Sequence, residues 1–261
     1  MDIVQTFYDS FASRYDKLFS DWHAATKAQA SVIDRILKDS GISAPCKILD
    51  CACGIGTQAI GMAALGYRVT GSDISFEELH EAERRAKDMG IELSLKRADF
   101  RALSDVFTEA FPVIMAMDNA LPHMLTKEDL KKAVQSMVGQ LMPGGLFVAS
   151  IRDYDLLLKE KPPYSPPYIH ATEHGQRVSF QTWHWSGDSY RLVQYIIEDE
   201  EKTVAHKFEC MYRAVTRDEL TEHLLSSGCE SVSWKFPEET GYYQPIVVAK
   251  KKKERTADGV S

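Results

Sequence analysis

The residues with the clearest chemical potential lie in Asp50-Cys51-Ala52-Cys53-Gly54-Ile55-Gly56-Thr57, together with Asp73. Two glycines at the end of a short apolar run let the main chain approach a ligand closely, and the free N–H groups of the helix that follows face that ligand. Asp73 ends the next apolar run, seventeen residues beyond Gly56, where a carboxylate can accept hydrogen bonds from two ribose hydroxyls. A nucleotide-bearing ligand is the expectation. Gly54, Gly56 and Ala59 also satisfy the dinucleotide fingerprint, so the glycines alone admit two kinds of cofactor. Further polar groups stand at the ends of later apolar runs: Asp99-Phe100, the turn Asp118-Asn119-Ala120-Leu121-Pro122-His123, and Arg152. In open α/β sheets ligands bind at that edge.

The elements that must position these residues alternate. Ile48-Leu49 reads as a strand, Gln58 to Leu65 as a helix closed by Gly66, and Tyr67 to Gly71 as a second strand leading to Asp73. Ser75 caps a helix running to Gly90 with Glu77 and Glu78 in its first turn, and Ile91 to Arg97 alternates as a third strand. Phe111 to Met117 is uninterrupted and apolar, as expected of a strand buried on both faces of a parallel sheet. A helix over Lys127 to Leu141, a turn at Pro143-Gly144-Gly145 and a strand over Leu146 to Ile151 follow. Ahead of the sheet, Phe7, Phe11, Tyr15, Leu18 and Phe19 recur at helical intervals, and a second helix spans His23 to Lys38.

After Arg152 the alternation breaks. A proline-rich connection from Lys161 to Tyr168 precedes three period-two runs, Val178 to Trp185, Tyr190 to Glu198 and Thr203 to Met211, the first two joined as a hairpin by Gly187-Asp188. A helix capped by Thr216 and two closing strands, Ser231 to Phe236 and Pro245 to Lys250, complete the chain. The expected architecture is α/β: a Rossmann-like seven-stranded sheet with N-terminal helices and an antiparallel β lid inserted after the fifth strand. Residues 1–152 and 213–250 form the core, 153–212 the lid, and 251–261 a disordered basic tail.

The Asp50 to Thr57 segment resembles the D-x-x-x-G-x-G-T first motif of class I S-adenosylmethionine-dependent methyltransferases, which favours S-adenosylmethionine over NAD(P). In that family the early acid orients the loop near the methionine moiety, which implies Asp50, and Asp99 with Phe100 is implied for the adenine. A closer resemblance, to glycine N-methyltransferase and the glycine/sarcosine N-methyltransferases of betaine synthesis, rests on Met117-Asp-Asn-Ala-Leu-Pro-His123, on PGGLFVASIRDYD (Pro143 to Asp155), on Lys207 to Tyr212 and on Gly241 to Pro245. It implies a cofactor set of Asp50, Ala52, Gly54, Gly56, Asp73, Ile74, Asp99, Phe100, Met117 and His123. It also implies Arg152 as the clamp on the substrate carboxylate, with Asn119, Tyr212 and Tyr8 beside the acceptor. An N-terminal helix pair covers the cofactor in small-molecule methyltransferases, which brings in Tyr8 and Tyr15. The family's arginine for the cofactor carboxylate has no counterpart in Ala24 to Ala28, so Lys27 would have to substitute.

The net charge of −7 argues against a nucleic-acid surface, which needs clustered positive charge. Five cysteines without zinc-ligand spacing read as reduced thiols, and the histidines show no metal-ligand pattern. No export signal or membrane-length apolar run is present, so a cytoplasmic enzyme, monomer or homo-oligomer, is expected. The function expected is N-methylation of glycine or sarcosine. A methyltransferase for another small acceptor and a non-catalytic S-adenosylmethionine sensor are the competing readings. A nicotinamide reductase ranks third, because no second nucleotide-binding half follows.

Overall fold

The structure, a computed structural model, describes residues 3–173 and 175–253. It opens with α1 (Ile3–Phe11), a 3-10 turn over Ala12–Leu18 and α2 (Trp22–Asp39). Then come β1 (Lys47–Asp50), α3 (Thr57–Ala64), β2 (Arg68–Asp73), α4 (Phe76–Asp88), β3 (Ser94–Arg97), β4 (Phe111–Ala116), α5 (Lys127–Gly139) and β5 (Leu141–Ser150). The chain continues through α6 (Tyr154–Glu160), the hairpin strands β6 (Tyr168–Thr172), β7 (Gly175–Ser186), β8 (Ser189–Asp199) and β9 (Thr203–Arg213), then α7 (Arg217–Ser226), β10 (Cys229–Lys235), α8 (Pro237–Thr240) and β11 (Ile246–Lys251).

The main sheet has seven strands in the order β10-β11-β5-β4-β1-β2-β3, with β1 to β5 parallel and β11 antiparallel to both its neighbours. The connection order reverses between β1 and β4, which opens a crevice at their carboxyl ends. Alternate residues of one strand serve opposite faces. Ile114 of β4 joins Phe147, Leu130, Val134 and Leu220 under α5 and α7, whereas Val113 and Met115 join Ile33, Leu37, Ala59 and Met62 under α2 and α3. A four-stranded antiparallel sheet, β6-β7-β8-β9, stands beyond β5. Its last strand meets α1 through Phe208 on Phe11, ring centroids 4.6 Å apart.

Several sequence expectations are corrected. The third strand begins at Ser94 and not at Ile91, because Gly90 takes φ +66° and the Ile91 N–H closes the preceding helix on the Ala86 carbonyl at 2.9 Å. Pro143-Gly144-Gly145 is not a turn before the fifth strand. It is a bulge inside β5, whose pairing with β4 jumps from Phe111↔Leu141 to Val113↔Leu146. The antiparallel sheet has four strands rather than three, since β6 follows the prolines at once. Short helices α6 and α8 were absent from the sequence reading. The final strand runs to Lys251, whose ammonium caps the Leu141 carbonyl at 2.7 Å. The rest of the basic tail lies, from 254 onward, outside the described residues. Among the described residues, no helix is long and apolar enough to cross a membrane.

Candidate active site

A cavity of about 350 Å³ fills the crevice. The glycine turn supplies Ala52, Gly54 and Ile55. Asp73 and Ile74 come from the end of β2, Asp99 and Phe100 from beyond β3, and Met117, Asp118 and His123 from beyond β4. The N-terminal segment roofs it with Ile3, Val4, Tyr8 and Tyr15. Asp50 and Gly56 are not among the lining residues. Asp50 is wholly buried beneath the turn, and Gly56, at φ +88°, caps α3.

Asp73 is the hub of the turn. Its Oδ2 accepts from the Gly54 N–H at 2.9 Å and its Oδ1 from the Ser75 N–H at 2.9 Å, so the carboxylate fixes both the glycine loop and the start of α4. Burial raises its pKa, and these backbone donors, with that of Ile74, oppose the rise. Burial pushes Asp50 up to about 8, and the Ala52 backbone N–H is the donor that opposes the rise. Asp118, at φ +53°, is raised by burial and steadied by Tyr242, Tyr243 and Gln58, which all donate to its carboxylate. Asp99 is engaged by its neighbour, accepting from the Arg101 N–H at 2.8 Å and from its guanidinium.

A second cluster lies against this cavity. Asn119, at φ +68° and 3% exposed, accepts at Oδ1 from the Tyr154 hydroxyl at 3.0 Å and from the Arg152 N–H at 3.1 Å, while its Nδ2 has no partner. The Arg152 guanidinium donates to the Tyr190 hydroxyl at 2.9 Å and to Gln181 Oε1 at 3.0 Å, and lies 5.0 Å from the Trp183 ring and 5.5 Å from the Tyr212 ring. Tyr212 packs on His123 with centroids 4.2 Å apart and the rings tilted by 34°, and His123 Nε2 shares a 2.8 Å hydrogen bond with the Tyr8 hydroxyl. His123 thus joins the two clusters: it lines the cavity on one side and packs on Tyr212 on the other.

The structure therefore brings most of the expected residues together. Lys27 is exposed on α2 and is not among the residues that line the cavity. Sequence reasoning missed Tyr190 and Gln181, which hold Arg152, and Glu78, which lines the cavity. Glu78 left a signal: it falls on the buried stripe of α4 with Leu79, Ala82 and Ala86, an odd place for an acid.

The cavity wall carries five acids, Asp73, Glu78, Asp99, Asp118 and Asp129, against a single arginine, Arg101. The one arginine is already paired with Asp99, so a pyrophosphate finds no free guanidinium on this wall, whereas a sulfonium bearing an ammonium suits its carboxyl groups. The fold is the Rossmann-like fold of class I methyltransferases. Residues 48–145 match the family described as a methyltransferase domain. An S-adenosylmethionine-dependent methyltransferase from Clostridium acetobutylicum superposes with a TM-score of 0.73 at 19% identity, covering 94% of this chain and 99% of that one. The chain is 29% identical over 155 residues to a glycine/sarcosine N-methyltransferase of Parasynechococcus marenigrum, covering 59% of this chain and 54% of the relative. It is 26% identical over 138 residues to a ubiquinone biosynthesis O-methyltransferase of Photorhabdus laumondii, covering 53% and 56%. The chain spans little more than half the length of these curated relatives.

Proposed function

We propose that the chain is an N-methyltransferase acting on glycine or sarcosine. The observation that carries this reading is Arg152: a guanidinium at the end of β5 that makes no ion pair among the described residues and is held only by neutral oxygens and aromatic faces. The alternative of a bridge to Asp153 or Asp155 is disfavoured, because Arg217 pairs with both, at 2.7 and 3.4 Å. Two of the five guanidinium N–H groups are used, which leaves donors for a carboxylate. An amino acid with no side chain offers that carboxylate and its amine, and little else.

Bound in the cavity, S-adenosylmethionine supplies a methyl carbon activated by positive sulfur, and forming the C–N bond breaks the C–S bond to leave a neutral thioether. The protein has to hold the amine in line and exclude water. Arg152 anchors the carboxylate, Asn119 offers its unpaired amide N–H₂ group, and the rings of Tyr212 and Trp183 wall the site and favour a cationic methylated amine. Asp73, Gly54 and Ile74 hold the adenosyl end, with Phe100 against the base. Asp50 buttresses the turn from beneath.

The test is a panel of carboxylated and carboxylate-free amines with labelled cofactor. Arg152→Ala should lower kcat/KM for glycine by roughly two to four orders of magnitude, in line with about 3–5 kcal/mol for a broken desolvated ion pair. Arg152→Lys keeps the charge but loses the fork, and should still raise KM strongly. Cofactor affinity should hardly move. Equal losses for glycine and for a carboxylate-free amine would return Arg152 to the scaffold and reopen the acceptor.

A further inference from the structure

We infer that Glu78 is a cofactor-positioning residue whose carboxyl group hydrogen-bonds one ribose hydroxyl beside Asp73. This rests on the S-adenosylmethionine reading of the cavity. Glu78 is 0% exposed, it lines the cavity, and neither of its oxygens has a hydrogen-bond partner. A buried carboxyl left in that state is costly, so a ligand group is its natural complement.

The geometry says which part of the ligand. A Cβ built on Gly54 would come within 3.1 Å of Glu78 Oε2, and the Gly54 N–H is the donor to Asp73 Oδ2. The two carboxyl groups thus flank one glycine, and a diol held by Asp73 lies within reach of Glu78.

Their surroundings differ. Asp73 is held by backbone donors, whereas Glu78 has none and is pushed well up, first by burial and then by Asp73, with Glu81 and Asp9 adding to the rise. Tyr8, Tyr15 and Cys53 are the other titratable groups that feel it. Arg85, the cation acting in the opposite sense, is engaged by Asp16 at 3.3 Å and Glu81 at 3.4 Å. A neutral carboxyl donates one hydrogen bond and accepts another, which suits a hydroxyl and repels no second anion. Glutamine carries the same donor and acceptor.

The experiment is calorimetry of S-adenosylhomocysteine and its 2′-deoxy and 3′-deoxy forms against the native chain, Glu78→Gln and Glu78→Met, with melting temperatures of the free proteins. Glu78→Met should bind S-adenosylhomocysteine roughly 10- to 100-fold more weakly, while Glu78→Gln stays within about threefold of native. For one of the deoxy forms, native and Glu78→Met should bind alike. Because the methionine removes an unsatisfied buried carboxyl, its free form should melt higher than native. Unchanged affinity in Glu78→Met, the same loss for all three ligands, or a lowered melting temperature would each overturn the proposal. A native chain that binds none of the three ligands would instead remove the cofactor reading itself.

Discussion

Asp73 and Glu78 flank the same glycine yet differ in what surrounds them: backbone donors oppose the rise in Asp73, and none does so for Glu78. Asp73→Ala removes the proposed ribose acceptor and the bond that holds Gly54, so S-adenosylmethionine should bind about 1.5–3 kcal/mol more weakly by calorimetry. Tight binding of NADH by the native chain would contradict the cofactor. For the acceptor, the carboxylate nearest in sequence to Asn119 is Asp118, already committed to two tyrosines and Gln58. Turnover on glycine should therefore rise from pH 7 toward pH 9 as the substrate amine loses its proton, and His123→Ala should leave that profile in place. A midpoint near 6.5 that disappears in the variant would point to an enzyme base. At this scale the glycines and Asp73 were legible because spacing along the chain determines them. The competing pairing of Arg152 was not: Arg217 neutralises Asp153 from 64 residues away, and no local pattern records that. Glu78 was read as a helix-capping acid, the reading its first-turn position invites.

Helix α2 shows how an element positions a site that it scarcely lines. Gly61 of α3 faces it so closely that a Cβ would stand 2.7 Å from both the Ala30 Cβ and the Thr26 carbonyl oxygen. Trp22 of α2 donates to Thr57 Oγ1 at 2.9 Å, and Gln29 accepts from Gln58 at 2.6 Å, the amide that also holds Asp118. Gly61→Ala should push the helices apart at a cost of about 1–3 kcal/mol in chemical denaturation, and should weaken cofactor binding as well. Native stability in that variant would mean α2 shifts freely. Strong periodicity made α2 and α5 legible. Strand β6 was not, because its five residues include Tyr168 and Ile169, 62% and 65% exposed, and an edge strand with apolar groups outward breaks the alternation that marks a strand.

Over the whole molecule the buried acids set a pH dependence. Asp50, Asp73, Glu78 and Asp118 all have raised folded-state values. A carboxyl raised by folding holds more protons in the folded state, so stability falls as pH climbs from its unfolded value near 4 to its folded one. For Asp50 that window reaches about 8. Each unit of displacement costs about 1.4 kcal/mol. Asp34, Glu198 and Glu209 are lowered by their partners and act with the opposite sign, only in acid. The free protein should accordingly melt lower at pH 8 than at pH 5, with Asp50→Asn flattening the slope and cationic S-adenosylmethionine restoring part of the loss. A melting temperature that rises over this range would refute the account.

The place of β11 has a consequence for synthesis. Among the described residues it is the last strand in chain order, yet it sits inside the sheet, between β5 and β10. While the ribosome is still adding residues 151 to 245, β5 has no neighbour on that side, and its Leu146 to Ser150 backbone is an open template for another nascent chain. The glycine turn and Asp73 can meet long before that edge closes, so a translating chain could grip its cofactor while still depending on a chaperone to keep it from its neighbours.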